Sequence, residues 1–162
     1  LFPPAAPGLR LWDALMKRGQ DLGLKPVGLG ARDTLRLEKG YLLSGQDFTG
    51  SQTPLEVDSE WVVKWKRTFL GRDALESQKA AGNFSRLVGV CMTDRAIPRH
   101  GCPVRSSGLT VGTVTSGTLS PSLRVGIALA SVDSAHASVG TNLEVEIRGL
   151  PHPAQVVRLP FL

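Results

Sequence analysis

From residue 86 onward the chain is a succession of short apolar stretches, at 87–92, 102–106, 111–118, 125–132, 142–148 and 154–159. Turn signals punctuate them at Pro98, Ser107-Gly108, Ser120-Pro121, Val139-Gly140 and across 149–153. Segments this short, rich in valine and bounded by glycine and proline, read as strands. Ser107-Gly108 between two of them predicts a tight hairpin. Six strands joined by short turns leave exposed edges unless the sheet closes on itself. The expectation is therefore a small antiparallel barrel or Greek-key sandwich.

The residues before it have a different texture. Leu9, Trp12, Leu15, Met16 and Leu22 recur at helical spacing, with Arg10, Asp13, Lys17 and Arg18 on other faces. This predicts an amphipathic helix ending near Gly19, its apolar stripe packed as core on a sheet whose strands need not lie within this chain. Pro26 enforces a break, and Gly28 and Gly30 make a permissive loop. A second helix is expected over 31–39, with Gly40 as its stop and Leu35 facing inward. Arg32 and Arg36, four apart, share a face of it, so something anionic should sit there. Asp47, Glu56 and Glu38 are candidates within the chain, Asp33 is a further neighbour for Arg32, and a ligand carboxylate is the alternative. A helix N-terminus behind a glycine loop favours an anionic ligand group, and Arg32 lies in that first turn. Alternation over 60–69 predicts a strand with Trp61, Val63 and Trp65 on one side and both tryptophans in the core. A third helix should run over 71–81 and close on Gly82. The fold class is α+β, with a helix-rich part over residues 1–83 and an all-β domain over 84–162.

Composition narrows the function classes. The net charge of +5 is spread over both parts, +2 up to residue 83 and +3 beyond it, without the basic arm or cluster that nucleic-acid binding needs. The modest excess would attract an acidic carrier or a polyanionic tail. No apolar run approaches the roughly 20 residues that span a bilayer, so a soluble, cytoplasmic protein without membrane contact is expected. The chain opens on Leu1-Phe2-Pro3-Pro4 without methionine or leader, and reads as the middle of a longer polypeptide. Cys91 and Cys102 have no companion pair and are expected to be reduced. His100, His136 and His152 are isolated and expected at the surface, with no metal-ligand spacing. Gly28-x-Gly30 lacks the third glycine of a dinucleotide fingerprint, and Ser116 has no neighbouring base that would make it a nucleophile.

Several motifs in one order carry more information than any of these alone. Gly-Leu-Gly-Ala-Arg-Asp-Thr-Leu-Arg-Leu-Glu from Gly28, Ser44-Gly45-Gln46-Asp47, Thr53-Pro54-Leu55-Glu56 and Trp61-Val62-Val63-Lys64 come first. Phe69-Leu70-Gly71-Arg72-Asp73, Ile97-Pro98-Arg99-His100-Gly101-Cys102-Pro103, Val114-Thr115-Ser116-Gly117-Thr118 and Leu159-Pro160-Phe161 follow. In this order they resemble the C-terminal half of the glycine cleavage system T-protein, the folate-dependent aminomethyltransferase family. The resemblance implies a remnant of an α/β folate-binding core followed by a small Greek-key barrel. It also implies transfer of a one-carbon unit from the aminomethyl-lipoyl arm of the H-protein to tetrahydrofolate, with release of ammonia. By the same resemblance Arg32 and Tyr41 contact the folate. The family's catalytic aspartate would lie upstream, so this stretch alone should supply no catalytic residue and be inactive. The folate lobe of sarcosine and dimethylglycine dehydrogenases, or a noncatalytic folate-binding protein, is the alternative. The Lys-Gly-Cys-Tyr-x-Gly-Gln-Glu signature of the latter is absent.

Overall fold

The computed structural model describes residues 4–162, so the opening Leu1-Phe2-Pro3 lies outside the described residues. The chain forms two compact units, one up to Arg32 and the other from Asp33 to Leu162.

In the first unit helix α1 (Ala5–Gly19) is followed by a single 3-10 turn, Gln20–Leu22, which Gly23 ends at φ 72°. The predicted apolar stripe is on this helix and the turn after it, and the described residues leave it uncovered. Leu9 and Leu22 are 74% and 87% exposed, and Trp12 and Leu15 are about half exposed. The periodicity correctly reports an amphipathic helix; burial of its stripe requires a covering surface that these residues do not supply.

Helix α2 (Leu29–Glu38) begins two residues earlier than the spacing predicts and ends as predicted at Gly40. Gly40 has φ 66°; its N–H reaches the Leu37 carbonyl (2.8 Å) and the Tyr41 N–H reaches the Arg36 carbonyl (2.8 Å). These are the two bonds of a Schellman stop. The inward residue of α2 is Leu37, fully buried, whereas the expected Leu35 is 59% exposed. Only the last turn of the helix is covered, and Arg36, Leu37 and Glu38 are consecutive buried residues there.

The strand expected over 60–69 does not form. Residues Glu60–Val62 make a 3-10 turn, the chain then runs through irregular turns, and Trp61 is 78% exposed. Alternation alone does not make a strand, because the backbone groups also need a neighbouring edge to pair with. Trp65 is half-buried under the Lys79 ammonium, 5.1 Å from the ring centre. Helix α3 (Arg72–Ala81) closes on Gly82, as expected.

The six strands are β1 (Ser85–Met92), β2 (Pro103–Ser106), β3 (Leu109–Leu119), β4 (Gly126–Asp133), β5 (Asn142–Ile147) and β6 (Leu150–Val157). They close into a barrel in the order β1-β4-β3-β2-β5-β6, every neighbour antiparallel. β1 lies beside β4, outside the β2-β3-β4 meander, which is the Greek-key crossing. Ser107 (φ 50°) and Gly108 (φ 81°) both occupy the left-handed region between β2 and β3, as a type I′ hairpin demands.

The barrel interior is filled by Val88, Val90, Met92, Val104, Val114, Val132, Val145 and Val156 with small alanines between them. Strands β1 and β4 are buried on both faces. Their outward Leu87, Ile127 and Leu129 pack with Leu37, Leu42, Leu159 and Phe161 in a second cluster. Leu37 thus anchors the end of α2 on the outer wall of the barrel. At Gly112 in β3 an added Cβ would lie 2.2 Å from the Ser131 carbonyl oxygen, so only glycine allows β3 and β4 to approach there.

Candidate functional site

The polar centre of the second unit is Arg36, which is only 8% exposed. Its Nε donates to Asp33 Oδ1 (2.7 Å), Nη1 to Asp47 Oδ2 (2.7 Å) and to the Tyr41 carbonyl (3.2 Å), and Nη2 to Ser116 Oγ (2.9 Å). Asp47, 4% exposed, is saturated in turn. Its Oδ2 also accepts the Leu43 N–H (2.8 Å), and its Oδ1 accepts the Thr115 hydroxyl (2.6 Å). Gln46 Nε2 donates to Ser116 Oγ (2.9 Å) and to the Thr115 carbonyl (3.0 Å). Burying an ion pair is tolerable only when its remaining donors and acceptors are matched, and here they are.

Of the three anions proposed for the arginine face, the structure selects Asp47 and adds Asp33 for Arg36. Glu56 instead accepts the N–H and hydroxyl of Thr53 (2.8 and 2.9 Å). Glu38, 4% exposed, accepts from the Ser120 hydroxyl and from the N–H and hydroxyl of Ser122. The Ser120 hydrogen bond, the strongest influence, holds the Glu38 carboxyl below its ordinary value. The Glu38 carbonyl accepts the Phe161 N–H (3.0 Å). The last turn of α2 is therefore pinned to the barrel twice, once through Arg36 and once through Glu38.

Tyr41 follows directly. Its backbone is held on both sides by Arg36, whose carbonyl takes the Tyr41 N–H and whose guanidinium donates to the Tyr41 carbonyl. Its ring is 67% exposed and lines a groove of about 410 Å³ with Lys39, Asp58, Trp61, Leu159 and Pro160. Asp58 sits at φ 53°, and burial pushes its carboxyl above the ordinary value, against the pull of Arg86.

Arg32 lies in the first unit, exposed, with its N–H bonded to the Gly28 carbonyl (3.1 Å) as one of the opening bonds of α2. Its guanidinium has no ion-pair partner among the described residues. A guanidinium without a carboxylate beside it keeps its planar set of donors for an anionic group.

The other candidates are structural. Ser116 is fully buried and accepts two hydrogen bonds, which leaves it no role as a nucleophile. His100 is exposed and bonded to the Thr115 carbonyl (2.7 Å), whereas His136 and His152 are half-buried, the latter against Asp94 (2.7 Å). Cys91 and Cys102 are free, and burial raises the Cys91 thiol. Among the described residues no group of three or more histidine, cysteine or carboxylate side chains is placed to hold a metal. No helix among them is long and apolar enough to cross a membrane. Sequence reasoning did not find Thr115 as a partner of Asp47 or Ser116 as a partner of Arg36, since 68 and 80 residues separate the bonded pairs.

Comparison with known proteins agrees with this architecture. Residues 1–67 match the family model described as the GCVT N-terminal domain, and residues 86–162 the glycine cleavage T-protein C-terminal barrel domain. The chain is 52% identical to an aminomethyltransferase of Frankia alni, over 94% of the chain and 42% of that protein. It is 50% identical to one of a Picosynechococcus species, over 95% and 42% respectively. The crystal structure of glycine cleavage system aminomethyltransferase T from Bartonella henselae superposes with a TM-score of 0.84 at 33% identity, covering 98% of this chain and 45% of that one. The chain therefore spans less than half the length of the relatives it matches. With both domain models matched in order and the same barrel at its end, the chain belongs to the glycine cleavage T-protein, or aminomethyltransferase, family.

Proposed function

We infer that this chain is the folate-facing C-terminal part of a tetrahydrofolate-dependent aminomethyltransferase acting in glycine cleavage in the cytoplasm. The complete protein takes the aminomethyl group from the lipoyl arm of an H-protein, releases ammonia and delivers the one-carbon unit to tetrahydrofolate. The observation that carries this reading is identity of 42–52% to proteins named aminomethyltransferase, over almost the whole chain. In this reading residues 84–162 form the barrel domain, and residues 1–83 belong to the folate-binding core.

Arg32 binds and orients the coenzyme and takes no part in acid-base chemistry. A guanidinium in the first turn of a helix gains nothing from the helix dipole, so its own chain gives little reason to keep it there. Its planar fork suits a carboxylate or the polar edge of a pterin. Tyr41 offers a ring face whose backbone support is fixed. Proton transfer and stabilisation of the developing charge fall to residues outside this chain.

Titrating tetrahydrofolate into the complete protein, with and without Arg32→Ala, tests the assignment. Removal of a charged hydrogen-bond partner is expected to weaken binding by about 1.5–3 kcal/mol. Equal affinity within about 0.5 kcal/mol would remove Arg32 from the site.

A further inference from the structure

The register of β3 against β4 slips by one residue between Val114 and Ser116, leaving Thr115 as an extra residue. A bulge of this kind bends the strand and re-aims side chains. Here it presents two hydroxyls in sequence to the segment that carries Tyr41. The Thr115 hydroxyl donates to Asp47 Oδ1 at 2.6 Å, and Ser116 Oγ accepts from Arg36 Nη2 at 2.9 Å. Arg36 in turn grips both backbone groups of Tyr41, at 2.8 and 3.2 Å. From the barrel wall to the tyrosine there is an unbroken line of short polar contacts, and Arg36, Asp47 and Ser116 within it are buried.

From this we propose that Thr115 and Ser116 are positioning residues of the folate site, fixing through Asp47 and Arg36 where Tyr41 stands. The proposal rests on the reading of Tyr41 as a folate contact. It assigns the barrel domain a share in coenzyme binding without any barrel side chain touching the coenzyme. A hydrophobic barrel wall would hold the segment down equally well through Leu37, but it would not fix direction. Hydrogen bonds accepted by both Asp47 oxygens and donated by three Arg36 nitrogens do so, because each has a narrow geometry.

Tetrahydrofolate affinity and turnover are measured on the complete protein for Thr115→Val, Thr115→Ser and Ser116→Ala. Val145→Ala in the barrel interior, away from the network, serves as a stability control, and Arg32→Ala and Tyr41→Ala as tests of the site itself. Thr115→Val is expected to raise KM for tetrahydrofolate about tenfold with kcat little changed, since it leaves one Asp47 oxygen unpaired. Thr115→Ser restores the parent value, Ser116→Ala behaves like Thr115→Val, and Val145→Ala lowers Tm without moving KM. Should Thr115→Val fail to fold, Ser116→Ala decides the matter on its own. Parent-like KM in Thr115→Val or, where that variant does not fold, in Ser116→Ala overturns the positioning role while losses in Arg32→Ala and Tyr41→Ala leave the site standing. An equal rise in KM for Val145→Ala also overturns it, because affinity would then follow stability alone. If Arg32→Ala and Tyr41→Ala both bind as the parent does, the site reading fails and the positioning role falls with it.

Discussion

The barrel and helix α1 were both announced by clear hydrophobic periodicity, yet only one of them buries what the pattern marks. In the barrel every strand has two neighbours of its own chain, and the closed order leaves no edge. Val90, Val104, Val114 and Val145 are fully buried in consequence. In α1 and the turn after it the pattern is as regular, but Leu9 and Leu22 stand in the open. A period states which face of an element is apolar. What covers that face is a separate question, answered inside the chain for the strands and not among these residues for the helix.

The largest test of this contrast is a pair of truncations in the 162-residue chain. Leu129→Ala, which empties space between the barrel wall and Leu37, should cost about 2–5 kcal/mol in chemical denaturation. Leu22→Ala at the end of the α1 stripe should stay within about 0.5 kcal/mol. A comparable loss at Leu22 would mean that the stripe is covered in solution, and the contrast would break.

A smaller effect concerns the second pin between α2 and the barrel. Glu38 has its carboxyl held down by the Ser120 hydroxyl, so the folded form binds a proton less readily than the unfolded chain, whose ordinary value is 4.5. The stability this supplies is complete above that ordinary value and is lost as pH falls through the lower, folded value. Thermal unfolding followed from neutral pH downward should therefore show a steeper acid loss in the parent than in Ser120→Ala. Ser120→Ala should already be less stable at neutral pH. Parallel curves would show that the Ser120 hydrogen bond brings no proton linkage at Glu38, leaving Arg36 and Leu37 to anchor the helix end.

The smallest expected change is a gain. Ser107 and Gly108 both have positive φ, and asparagine tolerates the first position better than serine. Ser107→Asn should raise stability by a few tenths of a kcal/mol, visible as a small rise in Tm. A loss would indicate that the hairpin is held from outside by the barrel and is not limited by its own turn.

Much of the fold could be anticipated wherever a segment carries its own instructions. Gly40 and Gly82 stop their helices because only glycine enters the left-handed region without cost, and both stops fall where the spacing puts them. The strands of the barrel lie within a few residues of their expected bounds for a similar reason, since valine alternation and turn residues are local signals. Residues 60–69 have the alternation of a strand and lack a partner edge, so the same local signal misleads there. At the site, Asp47 was among the anions anticipated for the arginine face because composition near a guanidinium limits the choice. Its preference over Glu56 was invisible, as was the contribution of Thr115 and Ser116.

Local chemistry in the chain was enough to specify a closed set of six strands, two glycine-stopped helices and an arginine pair in want of anions. Packing alone settled that Leu37 and not Leu35 faces inward, and that Arg36 is the neutralised member of the pair. It also settled that two neighbouring residues at a strand bulge distant in sequence, Thr115 and Ser116, bond to Asp47 and Arg36. The reason is physical: propensity and periodicity act over one or two turns of chain. Burial of an ion pair, by contrast, depends on which donors from remote segments arrive in the same dry space.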